Sequence, residues 1–183
     1  MHKNAILGVD PGNTATGWAL VDAETLRPLA IGKQENDLAY AAMVDAYQEL
    51  MEKHFHQIDL YVGIEMIASY GMPVGAEVFD TCVWIGQLKE RFRGWSARKE
   101  TRFIYRKSEK LVLCHSPRAN DSTIRQALID RFAYGEKNYG KGTKKNPGWF
   151  YGFRADIWAA YAVAVTYHDL YYSQIAMEER LDE

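Results

Sequence analysis

A short apolar run at residues 5–9 stops at Asp10-Pro11-Gly12, and a second at 17–21 stops at the turn-forming stretch 22–24. A third follows at 29–31. The connections are too short to hold crossover helices, so the three segments predict an antiparallel meander. Over 38–55 the apolar positions Leu38, Ala41, Ala42, Val44, Tyr47, Leu50, Met51 and Phe55 recur at helical spacing. Residues 60–64 read as a buried strand ending at Glu65, and 74–92 as a second helix introduced by Gly71, Met72 and Pro73. A short strand is expected at 103–105, while 106–113 fits more than one element. Thr123-Ile-Arg-Gln126 has capping-box spacing and predicts a helix running to Phe132. Residues 133–153 hold five glycines, one proline and Lys137, Lys141, Lys144 and Lys145, which predicts a basic, mobile loop. The stretch 155–171 is apolar almost all round and predicts a final helix packed hard on a sheet.

This order is three antiparallel strands, helix, strand, helix, strand, then helices. Right-handed crossovers place the fourth and fifth strands parallel to the first. The expected fold class is therefore α/β, a mixed five-stranded sheet with helices on both faces. The first strand lies centrally, with Asp10 at its carboxyl end beside Glu65 at the end of its parallel neighbour. Open α/β sheets bind ligands at such strand ends.

Composition narrows the class. The 183 residues, 48% of them hydrophobic, suit a single domain spanning 1–183, with no internal repeat or linker. The longest apolar run, 157–165, falls well short of a membrane span, and the N-terminus lacks a signal design, so a cytoplasmic protein is expected. Cys82 and Cys114 sit in apolar stretches without metal-ligand spacing and read as buried free thiols. A net charge of −2 conceals a sharp division, since residues 89–154 carry 17 Lys+Arg against 6 Asp+Glu. A polyanionic partner explains that polarity, and so does simple solvation of charged faces.

Three acids stand where acids are unusual. Asp10 and Glu65 end apolar strands, and Asp156 opens the last helix within Phe153-Arg-Ala-Asp-Ile-Trp-Ala-Ala. Buried carboxylates are costly unless paired or bound to a cation, and converging oxygen donors suit Mg²⁺ or Mn²⁺. Each acid taken singly also has a structural reading: a turn for Asp10, a strand-end surface residue for Glu65, a helix cap for Asp156.

Ile6-Leu-Gly-Val-Asp-Pro-Gly-Asn-Thr-Ala-Thr-Gly17 resembles the first motif of the RuvC-type Holliday junction resolvases of the ribonuclease H-like superfamily. Val62-Gly-Ile-Glu65 resembles the second, and Ala155-Asp-Ile-Trp-Ala-Ala-Tyr-Ala-Val-Ala-Val-Thr166 the motif of the last helix. Phage and prophage members are also similar through 124–132 and 141–148. The resemblance implies a homodimeric endonuclease that cuts branched DNA such as the four-way junction. It implies Asp10, Glu65 and Asp156 as catalytic metal ligands, with two Mg²⁺ or Mn²⁺ ions per site, Asp10 bridging them. Two departures stand out. Ala159 replaces a second acid common in the last motif, and Ala68 replaces an aromatic three residues after the second-motif Glu, for which Tyr70 is a substitute. Arg106, Lys107, Lys110, Arg118, Lys141, Lys144 and Lys145 are the expected phosphate contacts. Val78, Cys82, Ile85 and Leu88 form a helical stripe that fits either a dimer interface or core packing, and Trp84 and Trp158 are assigned to packing.

Two other readings stay open. Asp10-Pro-Gly-Asn-Thr14 is also similar to the first phosphate loop of the actin and sugar-kinase class, although a second such loop is not found in the sequence. A structure-selective DNA-binding protein with weakened catalysis is the non-enzymatic alternative, prompted by Ala159.

Overall fold

The computed structural model describes residues 3–54, 58–69, 71, 74–95 and 101–181. Its centre is β1 (Lys3–Pro11), flanked by the antiparallel β2 (Ala15–Asp22) and the parallel β4 (Ile58–Met66). Outside these lie β3 (Pro28–Glu35), antiparallel to β2, and β5 (Arg102–Tyr105), parallel to β4, giving the order β3-β2-β1-β4-β5. This is the mixed sheet expected from the sequence. β3 runs well beyond the expected 29–31, because backbone pairing with β2 carries the polar Lys33 and Gln34 that apolar pattern alone leaves out.

Alternation along the strands divides the core in two. Ala5, Leu7, Val9, Leu60, Val62 and Ile64 face one side, where α1 (Asn36–Lys53) and α2 (Ala76–Phe92) contribute Met43, Tyr47, Trp84, Ile85, Leu88 and Phe92. Full burial of each such large side chain is worth ~1.5–3 kcal/mol before the cost of ordering it. Ile6, Ala19, Val21, Tyr61 and Ile104 face the other side, against α5 (Asp156–Tyr167) and α4 (Asp121–Phe132).

The last helix lies against the sheet backbone itself. A Cβ on Gly8 would fall 2.1 Å from the Ala160 carbonyl oxygen, and one on Gly17 2.6 Å from that of Asp156. Both positions must therefore be glycine for helix and sheet to approach this closely. By alternation Asp10 and Glu65 point to the same side as Gly8 and Gly63, toward α5.

Four expectations need adjustment. Thr123 is not the cap of its helix: Asn120 is, its side chain accepting the Thr123 backbone N–H at 3.0 Å, with Thr123 in the first turn. The 106–113 stretch resolves as α3 (Arg106–Cys114), which starts directly where β5 ends. The expected final helix runs past residue 171: α5 passes at His168–Tyr172 into a π-helical turn and continues as α6 (Ser173–Leu181). Cys82 and Cys114 are free but only half-buried.

The connection before α5 is not the loose loop its glycines and lysines imply. Phe150 and Phe153 are buried against Trp158 and Tyr161, and Trp149 stacks on Phe132 with ring centroids 5.1 Å apart. The Trp149 indole N–H donates to the Tyr161 hydroxyl, which donates to the Leu26 carbonyl, each at 3.0 Å. The tip stands in solvent as a tight turn in which Thr143 N–H donates to the Asn146 carbonyl and Lys144 and Lys145 occupy the two central positions. Aromatic anchors, spaced without helical or strand periodicity, give no pattern from which such order is read. Among the described residues no helix is long and apolar enough to cross a membrane.

Candidate active site

The register that pairs Val9 with Ile64 brings the next residues, Asp10 and Glu65, side by side at the carboxyl ends of two central parallel strands. Their carboxyl groups lie close enough to act on each other directly. The turn that follows Asp10 is held rigidly. Gly12 N–H donates to the Ala15 carbonyl, and the Asn36 amide donates to the carbonyls of Gly12 and Asn13. Asn36 is fixed in turn by Thr16, whose hydroxyl donates to it at 2.8 Å while accepting the Trp84 indole N–H at 2.8 Å. The Pro-Gly-Asn-Thr segment is thus a braced hairpin that sets where the Asp10 carboxyl points.

Burial dominates the acidity of the pair. Desolvation pushes Asp10 up to about 8, helped by the charges of Glu65 and Asp156. Glu65 rises to about 7, again first through burial and then through Glu109. Both carboxyls are thus held above the ordinary carboxylate range, and the metal-free pair resists carrying two negative charges.

Asp156 reaches the site from the first turn of α5. The residue before it, Ala155, has φ 37° and ψ −125°, a conformation that costs about 1–3 kcal/mol for a non-glycine residue. Strain of that kind persists where surrounding packing dictates it, and here the buried Phe153 and Ile157 bracket it. The Asp156 carboxylate is turned to Lys33 of β3, at 2.5 Å. Among the described residues no group of three or more His, Cys, Asp or Glu side chains is arranged to hold an ion. The donor set still suits a hard divalent cation at its nucleus, because Asp10 and Glu65 are two largely buried, adjacent carboxylates.

Sequence reading missed a further acid. Glu109, on α3, is fully buried, and its Oε2 accepts from the Arg106 guanidinium at 2.5 Å. Burial raises Glu109 to about 7 against the opposing pull of Arg106. Its other oxygen, Oε1, has no hydrogen-bond partner among the described residues. The available signal was the three-residue spacing of Arg106 and Glu109 on one helix, which is usually a solvated surface pair.

Arg106, expected as a phosphate contact, is half-buried. Its guanidinium is committed to Glu109 and to Asp121, and its charge acts on both Asp10 and Glu65. Lys107, Arg118, Lys144 and Lys145 are exposed, and Lys110 and Lys141 half-buried. Tyr70 lies outside the described residues; Ala68 lines a small recess with Asp10, Glu65 and Arg106. Beside it opens a larger cleft of about 720 Å³, lined by Asp10, Asp156, Arg106, Arg125, Tyr139 and Trp158, with Ala159 at its wall. Arg125, not singled out from sequence, lies 4.8 Å over the Trp158 ring. On α2, Ile85 and Leu88 belong to the core, so the expected stripe is not an exposed face; Phe79 and Val83 are the exposed apolar residues, at 61% and 60%.

Strand order, the crossing of the last helix and the position of the acids define a ribonuclease H-like α/β fold. Its solved counterparts include the Thermus thermophilus RuvC structure, with a TM-score of 0.56 at 15% identity, covering 94% of this chain and 96% of that one. T. thermophilus RuvC in complex with a Holliday junction substrate is similar at a TM-score of 0.59 and 14% identity, over 93% and 95% of the two chains. At that identity the likeness is one of fold. No protein-family model matches the sequence, and neither does any curated protein.

Proposed function

We propose that the chain is a metal-dependent endonuclease acting on branched DNA, with the four-way junction as its substrate. The observation that carries this reading is the largely buried, adjacent pair Asp10 and Glu65 at the ends of neighbouring parallel strands, in a fold shared with a junction-bound RuvC. Asp10 and Glu65, with Asp156 from the last helix, would hold the Mg²⁺ or Mn²⁺. The bound cation supplies Lewis-acid polarisation of the phosphate and of an attacking water.

The protein's own groups do the positioning. Arg125 and Tyr139 line the cleft through which a strand reaches the acids, and the exposed Lys144 and Lys145 are further candidates for phosphate contact. The water oxygen bonds to phosphorus as the P–O3′ bond breaks. Its proton passes to a carboxylate of the pair, while the leaving 3′ oxygen takes one from solvent. The products are a 5′ phosphate and a 3′ hydroxyl.

Resolving a four-way junction takes two cuts and the described residues of each chain offer one such site, so the working form is a homodimer, with Phe79 and Val83 the exposed apolar residues of α2 that would meet a partner. A single-chain mass in sedimentation, with and without junction, counters that assembly.

Asp10→Asn, Glu65→Gln and Asp156→Asn should each abolish cleavage and retain junction binding. Near wild-type rates in two of the three would remove the proposed site. The non-enzymatic reading draws on Ala159 and on the Lys33–Asp156 ion pair; it requires junction binding without cuts in Mg²⁺ or Mn²⁺ on any of junction, flap, fork, duplex or hybrid substrates.

A further inference from the structure

Arg106 is the first residue of α3, directly beyond β5, at the same end of the sheet as Asp10 and Glu65. It lines both the large cleft and the small recess, so its guanidinium forms part of the boundary between them. From below it is gripped by the fully buried Glu109 at 2.5 Å, and from the side by Asp121. A carboxylate as deeply buried as Glu109 is tolerable only with a cation on it, and this one holds a cation of the chain's own. The last helix, by contrast, is poorly equipped to hold an ion away from the pair. Asp156 is already on Lys33, and the residue one turn later in the cleft wall, Ala159, offers a methyl group.

Resting on the nuclease reading above, we propose that the Arg106 guanidinium stands in for a second metal ion. The site then takes one divalent cation on Asp10 and Glu65, and Arg106 lays the other positive charge against the scissile phosphate. Glu109 is its positioning residue. It holds the guanidinium through Nη1 while Asp121 holds Nη2, which fixes the residue in the lining of the cleft.

Two measurements on the wild-type chain need no variant. Mn²⁺ titration followed by electron paramagnetic resonance should show one bound ion per chain, and junction cleavage should depend on Mg²⁺ with a Hill coefficient of about 1. Arg106→Gln should keep that single Mn²⁺ while cleavage falls by about 100-fold or more, and Arg106→Lys should recover part of the loss. Glu109→Gln should likewise keep the Mn²⁺ and lower cleavage. Two Mn²⁺ per chain, a Hill coefficient near 2, or Arg106→Gln cleaving within about threefold of wild type overturns the assignment. These results leave the nuclease reading standing. A wild-type chain that binds no Mn²⁺ and makes no cuts overturns both.

Discussion

Replacing Asp10 by Asn should stabilise the metal-free protein at neutral and alkaline pH, although it destroys the proposed activity. Folding moves Asp10 from an ordinary 3.8 to about 8, chiefly because the carboxyl leaves water. Around pH 6 the folded chain holds a proton that the unfolded chain has released. The native state therefore binds more protons, and stability falls as pH rises from about 4 toward about 8. Glu65, raised to about 7, acts in the same direction. At ~1.4 kcal/mol per pH unit, ionising Asp10 inside the fold costs about 5 kcal/mol by the top of that window. Glu65 is coupled to Asp10, so one substitution recovers about half, ~2–3 kcal/mol. The assay is urea denaturation followed by tryptophan fluorescence, with chelator, at intervals from pH 5 to pH 8. Wild type should lose stability across the series, Asp10→Asn should lose less, and their difference should widen with pH. Added Mn²⁺ should restore the wild type and leave the variant nearly unmoved, since cation binding displaces the proton. A wild-type stability that is flat across the series, or two curves that run parallel, refutes the reasoning.

Lys144→Ala with Lys145→Ala should weaken junction binding similarly across sequences and lower the salt slope by up to ~0.9 for each lost phosphate contact, with the fold intact because the tip is held by backbone hydrogen bonds. An unchanged slope in a binding titration at several salt concentrations removes the tip from the DNA surface. Gly8→Ala should cost about 3 kcal/mol or more, because the added carbon meets the backbone of Ala160 and Ala164 and neither can retreat. A thermal midpoint equal to wild type counters that contact.

The sheet was legible because strands buried on both faces leave unbroken apolar runs, and because two short connections permit little but a meander. Asp10 and Glu65 were legible for a related reason: an acid that closes such a run has nowhere to go but the sheet's end. What escaped the sequence depends on partners distant in the chain. Lys33 reads as a polar residue after an apolar stretch, and nothing local announces that Asp156 will meet it. Glu109 looks like one polar position on a short charged helix until α3 packs over the strand ends. The aromatic anchoring of 140–153 was hidden by composition, since glycines and lysines outnumber the few rings that fix the segment.

The contact between Gly8, Gly17 and the last helix has a consequence for how such a site can change. Side chains across an interface can be exchanged in compensating pairs, large for small, and the elements drift by fractions of an ångström. Backbone laid on backbone offers no such adjustment. The spacing between the acid of the central strand and that of the last helix is thereby fixed by peptide groups that substitution cannot resize. A lineage or a designer can retune this centre by swapping the residues that hold its charges, as at Lys33, Arg106 or Ala159, whereas the scaffold permits little retuning by moving α5.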